Sequence, residues 1–251
     1  MNLVRQKSDK PEEQDQRHIL VAEDDVVVQM VVRKILEDAG YTMDLAVDGQ
    51  EAVTALETRH YDLVLMDCFM PRMNGFEATK AIRDSNSPGI NPDIPVIAMT
   101  GLTEDVDQRR CLDAGMQSVL SKPCNAQTLI MEIEQYLGGP DDTVSTPDQA
   151  KKLKQQIWDD DFLDSVIDKF LEEVPGVIKD LQQAIDQGDV SKLGNIAHRF
   201  RGSSDILNAS ELSARSRVLE QAVKDGEIEL AVTHATELIL ELQKLTSILA
   251  E

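Results

Sequence analysis

Short apolar runs alternate with helical patterns along the first half of the chain, and this alternation restricts the possible folds most. Each strand-like run is followed by a segment whose apolar residues recur at helical spacing. The five runs are HILVA (18–22), YTMDLAV (41–47), YDLVLM (61–66), IPVIAMT (94–100) and QSVLS (117–121). Strands that alternate with helices form a parallel sheet covered by helices on both faces. Residues 18–138 are therefore predicted to form a doubly wound, flavodoxin-like α/β domain with five parallel strands.

The pattern changes after residue 138. Residues 139–149 are rich in Gly, Pro, Asp, Ser and Thr, as linkers are, and residues 1–17 have the polar composition of a solvated tail. Over residues 150–251, apolar residues recur every three or four positions without a strand pattern, which predicts an all-α bundle. Helix breaks are expected at Pro175, at Gly188-Asp189, between Gly202 and Asn208, and at Gly226.

Composition narrows the possible functions. The net charge of -21 argues against nucleic-acid binding, which needs clustered Lys and Arg facing phosphates. The chain has no apolar run long enough for a membrane helix and no signal peptide at its start, which predicts a cytoplasmic protein without membrane insertion. Three cysteines, Cys68, Cys111 and Cys124, form no CxxC pair and are expected to act as small apolar side chains.

Polar side chains follow four of the predicted strands. Glu23 and Asp24 follow the first strand, Asp67 the third, Thr100 ends the fourth, and Lys122 follows the fifth. The carboxyl ends of parallel strands share one edge of the sheet, so these groups are expected to converge. Adjacent carboxylates suit Mg²⁺, and an aspartate can act as a nucleophile toward phosphoryl groups. Taken alone, each of these residues also has a non-functional explanation, because acids at strand ends are often helix N-caps and lysines are usually solvated.

The same residues carry a family resemblance. ILVAEDD, DLVLMDCFMPRMNG, PVIAMTG and SKP, in this order, resemble the motifs of the receiver domain of two-component response regulators. The resemblance implies that Glu23, Asp24 and the Phe69 backbone carbonyl hold Mg²⁺ together with Asp67, the phosphoacceptor. It also implies that Thr100 is the switch hydroxyl, that Lys122 binds the phosphoryl group, and that the Lys122–Pro123 bond is cis.

Several positions depart from the receiver pattern. Val119 replaces the usual Tyr or Phe of the switch, Gly101 a common Ala, and Asp25 a frequent Asn. Phe69 and Leu102 occupy the two positions that flank the phosphoryl group in receivers, and neither has a polar group to position water. We therefore predict that phosphorylated Asp67 hydrolyses slowly.

The helix after the first strand is unusually apolar. Six of the seven residues in VVVQMVV (26–32) are apolar, whereas a helix packed on one face needs about three or four in seven. One interpretation is a wide buried face. The other is a surface patch beside the site that suits a docking helix.

A histidine in the helical half has distinctive neighbours. Arg201 and Gly202 lie three and four residues after His198, on the same helix face, and Ser203 follows. Gly202 either gives another protein close access to the imidazole or merely ends the helix. HRFRGS resembles the motif of the histidine phosphotransfer (Hpt) domain, with Phe200 in place of Leu and Arg201 in place of Lys. The resemblance implies a four-helix bundle with His198 exposed midway along one helix, and a phosphoryl-stabilising role for the three residues that accompany it.

Together the two sites predict a phosphorelay protein in which Asp67 exchanges a phosphoryl group with His198, or with the matching residue of a partner. The sequence shows no glycine-rich ATP site, so the donor is expected to be a sensor histidine kinase, another receiver or Hpt protein, or a small acyl phosphate. Two alternatives remain. An aspartate phosphatase is disfavoured, because Phe69 replaces the second acid such enzymes carry. A non-catalytic module that binds and regulates a kinase is compatible with Val119.

Overall fold

A computed structural model describes residues 17–101, 105–123, 125–138 and 159–248 of the chain. Within these ranges the protein contains a parallel sheet with its covering helices, followed by a helical bundle. The predicted fold class is confirmed in both halves. Residues 1–16 of the proposed tail and the whole proposed linker, together with Leu102 and Cys124, lie outside the described residues.

Five parallel strands form the sheet, in the order β2-β1-β3-β4-β5. The strands are β1 (His18–Ala22), β2 (Thr42–Ala46), β3 (Leu63–Asp67), β4 (Val96–Thr100) and β5 (Ser118–Ser121). The helices between and after them are α1 (Val26–Asp38), α2 (Gly49–Thr58), α3 (Gly75–Arg83), α4 (Asp105–Asp113) and α5 (Ala126–Leu137). Every residue of β3 and β4 is buried, as expected for central strands covered on both faces.

The strand order changes direction between β1 and β3, which are neighbours in the sheet although β2 separates them along the chain. In doubly wound sheets, the crevice beyond the carboxyl ends of the strands at such a point is the usual ligand site. The loops after β1 and β3 therefore lie where the sequence places its acidic residues.

Local capping fixes how these loops enter their helices. Asp25 is the N-cap of α1, and its side chain accepts hydrogen bonds from the backbone N–H groups of Val27 at 2.8 Å and Val28 at 3.1 Å. Asn74 and Glu77 form a capping box at the start of α3. The third acid after β1 thus serves as a helix cap.

Two cysteines of the α/β half behave as expected. Cys68 and Cys111 form no disulfide, both are fully buried, and their sulfur atoms lie 3.5 Å apart. They fill the core on one face of the sheet as small side chains.

The second half contains four described helices: α6 (Asp160–Gln187), α7 (Val190–Ile206), α8 (Ser210–Lys224) and α9 (Ile228–Ile248). Their buried apolar faces meet in one core, in which the rings of Phe170 and Phe200 stack at 5.2 Å. Among the described helices, none combines the length and apolar content that crossing a bilayer requires.

The prediction of a helix break at Pro175 is wrong. Helix α6 runs continuously through this residue. Pro175 lies on the exposed face, where water can bond the carbonyl that proline leaves without a donor. Val174 and Val177 on the opposite face are buried, so packing holds the turns before and after the proline in line. The expected breaks at Gly188 and Gly226 are confirmed, because both have positive φ at helix ends.

The apolar face of α1 is covered by the helical half. Val28, Val31, Val32 and Ile35 are each at most 6% exposed, and α1 contacts both α6 and α7. These side chains belong to one buried cluster that continues from the sheet into the bundle. The valine-rich segment is thus a wide buried face, and the helices that dock against part of it belong to the same chain.

Two glycines provide a matched test of close packing. A Cβ atom on Gly75 would overlap the backbone carbonyl of Asp67, whereas one on Gly176 would meet no atom within 4 Å. Gly75→Ala is expected to destabilise the protein by about 1–3 kcal/mol, because α3 would be pushed from the end of β3. Gly176→Ala is expected to stabilise it by about 0.5–1 kcal/mol, because alanine is the better helix former. Urea unfolding followed by circular dichroism measures both, and equal shifts of one sign would contradict the packing described.

Candidate functional site

Three carboxylates converge at the carboxyl edge of the sheet. Glu23 and Asp24 follow β1, Asp67 ends the neighbouring β3, and one oxygen from each lies within 4.8 Å of those from the others. Glu23 and Asp67 are at most 1% exposed. The adjacent strand ends thus bring together the acids that the sequence analysis selected.

Lys122 enters this cluster from the end of β5. Its ammonium nitrogen lies 2.5 Å from Glu23 Oε2 and 2.9 Å from Asp67 Oδ2. Burial alone would lower the pKa of Lys122, but the carboxylates of Asp67 and Glu23 raise it above its ordinary value. The amine is therefore a fixed positive charge beside Asp67. The Lys122–Pro123 bond is cis, as the resemblance implies.

The acids remain crowded despite this amine. Burial raises the pKa of Glu23 well above its ordinary value. Burial and then the charge of Asp67 raise the pKa of Asp24 to about 6. Asp24 Oδ1 is buried and has no hydrogen-bond partner within the described residues. A cluster of oxygen ligands with an orphaned carboxylate oxygen fits a hard divalent cation such as Mg²⁺.

Three further positions that the receiver resemblance selects lie in or just after β3, β4 and β5. Thr100 ends β4 and is fully buried, and Val119 lies in β5 where receivers usually carry an aromatic residue. The backbone N–H of Phe69 donates a hydrogen bond to Asp67 Oδ1 at 3.2 Å. This bond fixes the loop that follows the strand.

His198 lies midway along α7, with its imidazole against the receiver-like half. The centroids of the His198 and Phe69 rings are 4.7 Å apart. The expectation of an exposed histidine is wrong for this arrangement, because the His198 side chain is only 11% exposed. The ring is covered because α7 packs over the edge of the sheet. Its Nδ1 atom faces Glu220 Oε2 at 3.6 Å, which directs Nε2 away from that carboxylate.

Arg201 connects the two halves of the chain. Its Nε atom lies 3.0 Å from Glu220 Oε1, and its Nη1 atom donates to the backbone carbonyl of Gly101 at 3.4 Å. The residue is 8% exposed. Its guanidinium is thus anchored by a buried carboxylate and contacts the loop after β4.

Ser203 and Gly202 contact the start of α1. The Ser203 hydroxyl donates a hydrogen bond to Asp25 Oδ2, and burial raises the pKa of Asp25. Gly202 lies inside α7, so the alternative that it ends the helix is wrong. A Cβ at Gly202 would meet Val28 and Asp25 at 3.5 and 3.6 Å, ordinary contact distances, so alanine would fit.

One small cavity joins the two candidate sites. Its volume is about 10 Å³, enough for about one water molecule. Asp67 and Lys122 line it from the sheet, and His198, Arg199 and Arg201 from α7. The cavity must widen before it can hold a phosphoryl group, which is larger than one water molecule.

Sequence reasoning missed two residues of this arrangement. Glu220 lies on the buried face of α8 together with Ser216 and Leu219, and its position on that apolar and small-residue stripe was the available signal. Arg199 lies 4.0 Å from Asp24 Oδ2. No sequence signal marked Arg199, because its role depends on how α7 packs against the sheet.

Comparisons with known proteins divide the chain at the same place as the structure. Residues 19–134 match the family model of the response regulator receiver domain, and residues 165–248 match that of the Hpt domain.

Relatives of the receiver-like half include several histidine kinases. Hybrid signal transduction histidine kinase B of Dictyostelium discoideum is 37% identical over 46% of this chain and 6% of its own length. Probable histidine kinase 1 of Oryza sativa subsp. indica is 35% identical over 47% of this chain and 15% of its own length. The chain therefore matches only a small part of these two kinases.

One similar solved structure is the receiver domain of a sensor histidine kinase from Pseudomonas aeruginosa, which has a magnesium ion coordinated in its active-site cleft. It is 35% identical, with a TM-score of 0.46, and the match covers 49% of this chain and 99% of that chain.

Removing one carboxylate tests the crowding of the cluster. Without divalent cations, Asp24→Asn is expected to stabilise the protein by about 1–3 kcal/mol at pH 7, because it removes a buried charge whose pKa is raised to about 6. The contact with Arg199 that is lost is long and weak. Added Mg²⁺ should then stabilise the variant less than the wild type.

Thermal unfolding with chelator and with Mg²⁺ measures both effects. Glu57→Gln is the control, because Glu57 is exposed on α2 and its replacement removes a carboxylate far from the cluster. A loss of stability in chelator on Asp24→Asn, with the Mg²⁺ effect unchanged, would contradict the described electrostatics.

Proposed function

Because the chain joins a response regulator receiver domain to an Hpt domain, we propose that it is a phosphorelay protein. In this proposal Asp67 exchanges a phosphoryl group with His198, or with the matching residues of partner proteins. The receiver domain spans residues 18–138 and the Hpt domain residues 150–251. The observation that carries the proposal is the shared cavity, since Asp67 and His198 line it from opposite sides.

The exchange is a direct displacement at phosphorus. The Nε2 lone pair of the neutral His198 imidazole attacks, and a nitrogen–phosphorus bond forms as the bond to the Asp67 oxygen breaks. The electron pair returns to the Asp67 carboxylate, and the ring keeps its Nδ1 proton and gains a positive charge. Glu220 faces Nδ1 at 3.6 Å and would stabilise that charge. Most of the catalysis is positioning and electrostatics.

Fixed charges and hydroxyls in the site suit the moving phosphoryl group. Lys122 lies beside the Asp67 oxygen, where its ammonium can pair with a phosphoryl oxygen. Thr100 supplies a hydroxyl at the end of β4. On the Hpt side, Arg201 and Ser203 are held at the domain contact, and we assign them an orienting role together with Gly202.

Mg²⁺ is the proposed cofactor. Glu23, Asp24 and Asp67 would hold it, with the backbone carbonyl of Phe69 as a further ligand. The orphaned Asp24 oxygen and the clustered carboxylates support this choice. When bound, the ion offsets negative charge on the phosphoryl group.

The proposed partners follow from the two reactive residues. A sensor histidine kinase, or another Hpt protein, supplies the phosphoryl group to Asp67, and other receivers accept it from His198. The proposed location is the cytoplasm, where such partners and small acyl phosphates occur together.

Phosphoryl mapping tests the proposal. The full chain is incubated with a small acyl phosphate and Mg²⁺, and acid-labile phosphohistidine is distinguished from base-labile phosphoaspartate. The wild type is expected to form both. Asp67→Ala should lose both, because the phosphoryl group enters through Asp67, and His198→Ala should keep only phosphoaspartate.

His234→Ala is the matched control, because His234 lies on α9 beside Glu237 and outside the proposed site. It should label as the wild type does. Absence of phosphohistidine in the wild type, even with added partner receivers, would contradict the proposal and favour a module that only binds and regulates a kinase.

The lifetime of the aspartyl phosphate is a separate prediction. The Phe69 ring packs edge-on against Phe76 at 5.9 Å and offers no polar group to hold a hydrolytic water. In the His198→Ala background, phosphoaspartate should persist for minutes or longer. Adding Phe69→Asn should shorten its lifetime, whereas Phe69→Leu should not. A lifetime of seconds with Phe69 intact would contradict this role.

A further inference from the structure

The loop after β4 has room for the guanidinium of Arg201 only because residue 101 is glycine. Arg201 Nη1 donates to the Gly101 carbonyl at 3.4 Å. A Cβ atom on Gly101 would overlap the guanidinium and lie 2.9 Å from its Cζ atom. An alanine at this position would therefore displace either the side chain or the helix that carries it.

The guanidinium has little freedom to move aside. Its Nε atom is paired with Glu220 at 3.0 Å, and Arg201 and Glu220 are each 8% exposed. Breaking that pair would leave a buried charge without its partner, which is strongly unfavourable. Overlap at residue 101 would therefore be relieved mainly by movement of α7, the helix that carries His198.

Resting on the proposed phosphoryl exchange, we propose that Gly101 and Arg201 form a size-matched pair that makes this receiver domain specific for the Hpt domain of its own chain. Neither residue needs to touch the phosphoryl group for this role. They set how closely α7 approaches the sheet, and thus where His198 stands relative to Asp67. The hydrogen bond from Ser203 to Asp25 holds the same helix at a second point.

The size of the expected change in transfer rate follows from how far His198 moves relative to Asp67. A shift of about 1 Å in a reacting group can cost about 100-fold in rate. Gly101→Ala, which moves α7, is therefore expected to slow transfer from Asp67 to His198 by about 10- to 100-fold. Arg201→Lys shortens the side chain and makes room for the methyl group.

A double-mutant cycle in the full chain tests the pair. The wild type, Gly101→Ala, Arg201→Lys and the double variant are loaded with acetyl phosphate and Mg²⁺, and the rate of phosphohistidine formation is divided by the amount of phosphoaspartate. In the Arg201→Lys background, Gly101→Ala is expected to change the rate by less than about 3-fold, since directly contacting residues are not additive. If the two substitutions change the transfer rate independently, so that their effects multiply in the double variant, the proposal is overturned. It is also overturned if Gly101→Ala transfers as fast as the wild type.

Amide hydrogen exchange of α1 measures how tightly α7 docks on it, and this measurement needs no phosphoryl chemistry. Gly101→Ala should speed exchange of the α1 amides, because α7 covers that helix less tightly, and the double variant should restore protection. This result would support the pair even if no phosphohistidine formed, in which case only the proposed exchange reaction would fail. Unchanged α1 protection in Gly101→Ala would overturn the pair independently of the reaction.

Discussion

Crowding of negative charge at one edge of the sheet is the constraint on which the rest of the site depends. Three carboxylates meet within 4.8 Å of one another, and the described structure sets the single ammonium of Lys122 among them. Buried like charges repel unless cations approach. The edge therefore attracts the fixed amine and the basic residues of a docking helix, and it suits the divalent cation that we propose as cofactor.

The helical half supplies that helix within the same chain. Arg199 faces Asp24, and Arg201 reaches the loop after β4, so basic residues of α7 approach the acidic edge. Beside this polar contact, Val28 and its apolar neighbours on α1 are buried against the bundle. Charge complementarity favours orientation and approach, while apolar burial stabilises the contact. The same contact nearly encloses Asp67, so the proposed donor kinase could reach it only after α7 moves away.

The sequence predicted those parts of the protein that depend on local pattern. Strand and helix alternation identified all five strands, and the four receiver motifs selected residues that the fold brings to one edge. Pro175 was misjudged because local propensity favoured a break, whereas packing of Val174 and Val177 keeps α6 continuous.

The contacts between the domains could not be predicted in this way. Glu220 and Arg199 gain their roles from packing between elements far apart in sequence, and the covering of His198 depends on how the two halves dock. Gly101 differed in the sequence only from the residue that the resemblance makes common, and its closeness to the Arg201 guanidinium depends on how the two halves dock.

In the proposed relay, His198 reaches Asp67 of its own chain. The most direct test is the dependence of single-turnover transfer on protein concentration, measured over a hundredfold dilution after Asp67 is loaded with acetyl phosphate and the reagent is removed. Transfer within one chain predicts a first-order rate constant that does not change on dilution. A rate constant that falls in proportion to concentration would show that the phosphoryl group moves between chains and not within one.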